Sequence, residues 1–215
     1  MPTTMLGTSR VLPVPYLAQP TDTTCQATVL KMMAMYLERL SPSSSSNAAS
    51  LNIPAIKTEI NSGQGRPSTK ENSHENFKWW LQRRFPKLKF ELSWVYEEVA
   101  VRKLVDYINR RSPVLMAVSH ARVPGHIMLA IGYENYVAGV SSEDFHVIMH
   151  DPYGAFHPAL LSKNYGKDRF VGGMSLAGGG EIGPGQSCRL PITAASRERK
   201  GDSALGLFTL LAARL

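Results

Sequence analysis

The chain has 215 residues, 43% of them apolar and 19% charged, with a formal net charge of +7 and two cysteines. That length buries a sizeable core as one domain, and the composition excludes a disordered protein and a disulfide-built scaffold. No apolar run approaches the length of a bilayer span, so no membrane span is expected.

The positive charge favours anionic surfaces such as cell-wall polymer or acidic lipid. The basic residues are scattered, with small clusters at Arg83-Arg84, Arg110-Arg111 and Arg197 to Lys200. A basic stripe is missing, and no specific nucleic-acid partner is expected. Residues 1–10 lack the basic region, apolar core and small-residue cleavage site of a secretory signal. The expectation is a protein cytoplasmic as synthesised, with any export following a route without a cleavable signal.

In chain order, residues 1–12 are expected as a loose arm. Thr23-Thr24-Cys25-Gln26 then fits a helix start, with Thr23 as cap and Gln26 reaching back in a capping box. Val29, Leu30, Met33, Tyr36, Leu37 and Leu40 follow at helical spacing on one apolar face, up to Ser41-Pro42. Residues 43–50 are a Ser/Asn/Ala-rich loop. A second helix is predicted over 70–85, stopped by Pro86, then a strand over 88–95 and a third helix over 97–111. Strands are predicted at 113–119, 126–133 and 145–150, separated by turn-forming residues.

Helices first and a mainly antiparallel sheet after them define an α+β fold. Beyond Asp151 the pattern weakens. Residues 172–185 are glycine-rich turns or loop, 190–193 one short strand, and 203–215 a closing helix or strand. The expected organisation is one domain over 1–215, its core at about 12–160 and a loop-rich C-terminal extension at 161–215.

Cys25 carries the chemistry. A thiol in the first turn of a helix meets unpaired amide N–H groups and the positive end of the helix dipole, both of which favour a thiolate. The plain alternative is a small buried apolar residue, the common fate of cysteine. The nucleophile reading requires an accessible thiol that alkylating reagents reach; a buried Cys25 favours a binding module instead. Cys188, in a Gly/Pro-rich stretch, has no such context and is taken as incidental.

Six histidines compete for the base. His126 follows Gly125 and leads the strand Ile127 to Tyr133, which places it at a sheet edge. His120 is its main rival; His146 and His150 suit satisfied sheet positions, and His74 and His157 suit the surface. Asp151 ends the next strand, so an antiparallel pair sets it beside His126, where a carboxylate orients an imidazole. Asp151-Pro152-Tyr153-Gly154 is also a turn sequence in its own right. Gln19, six residues before Cys25, offers a side-chain amide to an oxyanion beside the Cys25 backbone N–H. His146, His150 and Asp151 match no zinc signature, and neither a metal nor another cofactor is expected.

Val14-Pro15-Tyr16 leading to Gln19 and Cys25, Ser112 to Val118, Gly125-His126 to Gly132-Tyr133, and Asp151-Pro152-Tyr153-Gly154 together resemble a known group. It is the bacteriocin-processing, double-glycine leader peptidase-like group of papain-like cysteine peptidases, and the likeness covers about residues 12–155. The resemblance implies a papain-like fold with N-terminal helices packed on a mainly antiparallel sheet. It implies Cys25 as nucleophile, His126 as base, Asp151 as orienter and Gln19 as oxyanion donor. This chain departs from the group at Gln26, where a glycine usually follows the nucleophile.

The function expected is hydrolysis of a peptide or cell-wall amide bond through a thioester on Cys25, in a bacterial enzyme that serves as a toxin effector. Its partners would be a peptide, protein or peptidoglycan substrate and an immunity or inhibitor protein. The alternatives are a catalytically inactive papain-like binding module and a thiol acyltransferase or deamidase.

Overall fold

The structure is a computed structural model that describes residues 7–21, 23–41, 47–118, 126–139, 145–152, 174–175, 181–182, 187–191 and 208–215. Strand β1 is Thr8–Val11, followed by helix α1, Cys25–Leu40, a 3-10 turn at Ala48–Ser50, and helices α2, Ile53–Ser62, and α3, His74–Arg84. Next come β2, Lys89–Val95, helix α4, Glu97–Asn109, and strands β3, Val114–Val118, β4, His126–Tyr136, and β5, His146–His150. Two short strands, β6 at Met174–Ser175 and β7 at Glu181–Ile182, pair with each other. The chain then returns to the main sheet as β8, Ser187–Pro191, and β9, Phe208–Arg214.

The main sheet runs β2-β9-β3-β4-β5-β8, and every pairing in it is antiparallel. It is an α+β, papain-like architecture. Strand β4 is its axis. The first half of β4 pairs with β3, from Val118 opposite His126 to Val114 opposite Ala130, and its second half pairs with β1.

Residues 8–11, expected as part of a loose arm, therefore form a strand. The close approach of β1 needs Gly132. A Cβ there would fall inside contact distance of the Arg10 carbonyl oxygen and 3.0 Å from the Val11 Cα, both rigid backbone atoms.

Helix α1 packs against β4 and α2, which accounts for burial wider than one face. Ala27, Val29, Leu30, Met32, Met33, Ala34 and Leu37 are all fully enclosed, whereas Leu40, expected on the apolar face, is exposed. Helix α2 is an element that apolar periodicity did not indicate. Its inward face carries Ile56 and Ile60, and its start is Pro54 in the first turn with an Asn52 side-chain cap on the Ala55 amide. No helix among the described residues is long and apolar enough to cross a membrane.

The closing segment is a strand, placed between β2 and β3 with Phe208, Leu210, Leu211, Ala212 and Ala213 buried. Glu91 on β2 fastens its far end by accepting from Arg214 at 2.8 Å and from Lys103 of α4. The lysine and arginine hold the Glu91 carboxyl down at about 2, against the opposing effect of burial.

Gly132→Ala is expected to cost about 1–3 kcal/mol, the usual range for overpacking, because β1 must shift. Urea titration followed by tryptophan fluorescence measures this, and an unchanged midpoint would mean that β1 accommodates the methyl.

Candidate active site

Four chain segments meet at the end of β4. The first is the loop 12–20, stitched down the sheet edge by bonds that respect its prolines. The Leu12 amide donates to the Ile131 carbonyl at 2.8 Å, the His150 ring N–H to the Val14 carbonyl at 2.9 Å, and the Gln19 amide to the Pro152 carbonyl at 2.7 Å. The Tyr16 hydroxyl adds a bond to the Asp151 carbonyl at 3.1 Å and sets its ring edge-on to His150. His150 is thus a satisfied structural histidine, as its strand position indicated.

The second segment is the start of α1. Thr24 is the N-cap, not Thr23, and its side chain makes no capping bond; among the described residues no side chain caps the first-turn amides. The Thr24 hydroxyl instead donates to the Thr21 carbonyl at 2.9 Å. The expected capping box does not form, because the Gln26 amide donates to the Thr23 carbonyl at 3.2 Å and to the Asn72 side chain at 2.6 Å. An uncapped first turn keeps its N–H groups and dipole for an anion.

Third and fourth are His126, leading β4, and Asp151, just past β5. Their antiparallel register sets Leu129 opposite His150, so the two residues lie at the same sheet end. His126 Nε2 hydrogen-bonds Asp151 Oδ1 at 2.9 Å with both side chains essentially fully buried. Burial is the largest single influence on His126 and pushes it down. The Asp151 carboxylate, by charge and by hydrogen bond, and after it negative charge on the Cys25 sulfur outweigh that and raise it to about 9. With Nε2 held by the carboxylate, Nδ1 is the ring nitrogen for proton exchange with the sulfur.

Cys25, His126 and Asp151 are therefore brought together. Cys25 is less open than the sequence reading requires, with 8% exposure and its thiol donating to Gln26 Oε1 at 3.3 Å. Gln19 is fully buried, and its side-chain Nε2 donates to the Thr21 carbonyl at 2.7 Å. A primary amide carries two N–H groups, so one remains for another acceptor.

His120 and Gly125 lie outside the described residues, as do His157, Tyr153 and Gly154. Cys188 is on β8 opposite Met149, not in a loop. His74 is half-buried against Phe77 rather than fully on the surface. Tyr16, named only within the Val14-Pro15-Tyr16 stretch, and Asn72 touch the site's framework without having been assigned a role. A tyrosine after a proline and an asparagine in a turn are too common to signal such roles.

The fold and the matching family are those of cysteine peptidases. The chain belongs to the Peptidase_C39 like family, whose model matches residues 11–170. No curated protein matches it in sequence. Among solved structures it is similar to UfSP from C. elegans, with a TM-score of 0.55 and 11% identity. That match covers 100% of this chain and 36% of the other, so this chain spans little more than a third of UfSP's length.

The raised His126 value carries a sign. Protonation favours the folded state; the contribution is complete below the ordinary histidine value of about 6.5 and is lost as pH rises towards about 9. Thermal unfolding should show Tm falling across that window, and Asp151→Asn should flatten the fall. An equal slope in the variant would mean that Asp151 does not set the His126 equilibrium.

Proposed function

We propose that this chain is an active thiol hydrolase that cleaves amide bonds of peptides through a thioester on Cys25. One observation carries the reading: a buried imidazole hydrogen-bonded through Nε2 to a buried carboxylate and electrostatically coupled to the Cys25 sulfur at a helix start. Each part has a role in that chemistry. His126 takes the thiol proton, and the Cys25 thiolate attacks the substrate carbonyl carbon.

The carbonyl oxygen becomes an oxyanion. It is met by the Cys25 backbone N–H and by the second N–H of the Gln19 side chain. The His126 imidazolium gives its proton to the leaving amine, which departs and leaves the acyl group on sulfur. Water, deprotonated by the same ring, then attacks the thioester. The carboxylic acid leaves and the proton returns to sulfur. Asp151 keeps the ring oriented and compensates its charge.

The net charge of +7 supports an anionic target, such as cell-wall peptide attached to acidic polymer. Service as a bacterial toxin effector, with an immunity protein as partner, is the finer form of this reading. A papain-like module that binds without turnover is the second reading, favoured by the small exposure of Cys25.

Purified protein offered a library of unfolded peptides and, separately, peptidoglycan fragments decides between the two readings. Cleavage that Cys25→Ala and His126→Ala abolish is the expected result. Tight binding with no cleavage, unchanged by Cys25→Ala, would establish the binding module instead.

Within the enzyme reading, Gln19→Ala should lower kcat about a hundred- to a thousandfold with little change in KM, because the amide meets charge present only in the transition state. A loss confined to KM would remove Gln19 from the oxyanion site.

A further inference from the structure

Gln26 sits where the resembling peptidases usually carry glycine, and here it is 4% exposed with its side chain against the sulfur. Which end of that amide faces Cys25 follows from a chain of forced assignments. The Asn72 backbone N–H can only donate, and it donates to Asn61 Oδ1 at 2.7 Å. Asn61 must then present its NH2 group to Asn72 Oδ1, at 3.2 Å, which makes that oxygen an acceptor. Gln26 must therefore turn its own NH2 group to Asn72, at 2.6 Å, and the Thr23 carbonyl, which can only accept, demands the same orientation. What remains for the sulfur is Oε1, an acceptor.

An acceptor 3.3 Å from sulfur stabilises S–H and opposes S⁻. We infer that Gln26 is a positioning residue whose carbonyl accepts from the Cys25 thiol and opposes its thiolate, with Asn72 and Asn61 locking the amide in that orientation. The inference rests on the nucleophile reading and deepens it. When the His126 ring is neutral, the thiol has one proton and two acceptors, the Gln26 carbonyl and the free ring nitrogen. When the proton passes to His126, the carbonyl loses its donor and faces an anion instead. The thiolate–imidazolium pair thus forms against the Gln26 dipole, while the helix start and Asp151 favour it.

The titratable and charged groups around this network come from several elements. His126 of β4 is electrostatically coupled to the sulfur, with Asp151 hydrogen-bonded behind it. Lys57 of α2 reaches the same helix end by donating to the Thr23 hydroxyl at 2.8 Å. His74 and Glu75 open α3 beside Asn72, and the first turn of α1 carries no acidic residue.

The experiment follows iodoacetamide alkylation of Cys25 by mass spectrometry as a function of pH, in the full chain, with circular dichroism to establish folding. Gln26→Leu removes the acceptor at similar volume and should lower the alkylation midpoint by about one pH unit. Gln26→Glu places a negative charge there and should raise it by a similar amount. Asn72→Gly keeps the left-handed backbone of that residue, φ 53°, while deleting its side chain. It should give a midpoint between those of wild type and Gln26→Leu, and its remote, exposed position makes it the variant of choice if changes at Gln26 disturb folding.

Shifts of opposite sign in the Leu and Glu variants are not produced by a merely structural role. Three unchanged midpoints, with the wild-type midpoint still below that of a free thiol and dependent on His126, would overturn the inference and leave the nucleophile reading intact. Alkylation like that of a free thiol in every variant, His126→Ala included, would overturn the nucleophile reading and this inference with it.

Discussion

The buried pair of His126 and Asp151 is the constraint around which the rest of this molecule is arranged. A carboxylate and an imidazole taken out of water together lose hydration that only good geometry replaces. Strands β4 and β5 supply that geometry by ending at the same edge, and the loop 12–20 covers it. Tyr16 and the Gln19 amide bind the carbonyls of Asp151 and Pro152, so the chain leaving β5 is held where its carboxylate meets the ring. Moving the carboxylate away would leave a buried imidazole next to a thiol with nothing to compensate its charge.

Among the described residues, one edge strand, β2, is joined to the rest of the sheet only through β9. Strand β9 lies between β2 and β3, so β2 cannot join the sheet until β9 is in place. Pairing over such a sequence separation is entropically slow to form, because the intervening loop must close first. Strands β3, β4 and β5, which bring His126 and Asp151 together, are consecutive in sequence and antiparallel. The pair thus belongs to a more local part of the fold than the sheet that supports it.

Much of this arrangement was legible in the sequence where local chemistry is strong. Helix α1 shows in its apolar spacing, and β3, β4 and β5 show as apolar runs between turn residues. The Asp-Pro turn and the histidine at a strand start indicated the same sheet end. Elements defined by partners were not legible. Strand β1 is four residues long and exists because Gly132 admits it. Helix α2 buries two isoleucines, too few for a periodic signal. The place of β9 is a matter of pairing, which no single segment reveals. At the site, the residue types of Cys25, His126 and Asp151 stood out, whereas the orientation of Gln26 did not. It is set by Asn61 and Asn72, 35 and 46 residues away in sequence, through donors and acceptors visible only once the chain is folded.

The start of α1 holds two opposed electrostatic arrangements. Thr24 directs its hydroxyl into the preceding loop and leaves the helix amides uncapped, at a stability cost of about 0.5–2 kcal/mol for a lost cap. Those amides are then available to negative charge on sulfur or on a bound carbonyl oxygen. Gln26, one residue further, presents a carbonyl to the same sulfur and opposes that charge. The two act on different atoms as a reaction proceeds. The amide dipoles favour an oxyanion as much as a thiolate, whereas the Gln26 carbonyl acts on the sulfur, and its opposition ends when the sulfur becomes an uncharged thioester. An acceptor that disfavours the thiolate and spares the acyl-enzyme makes the step from one to the other more favourable, so a part of the cost of deprotonating the thiol is recovered as the S–C bond forms.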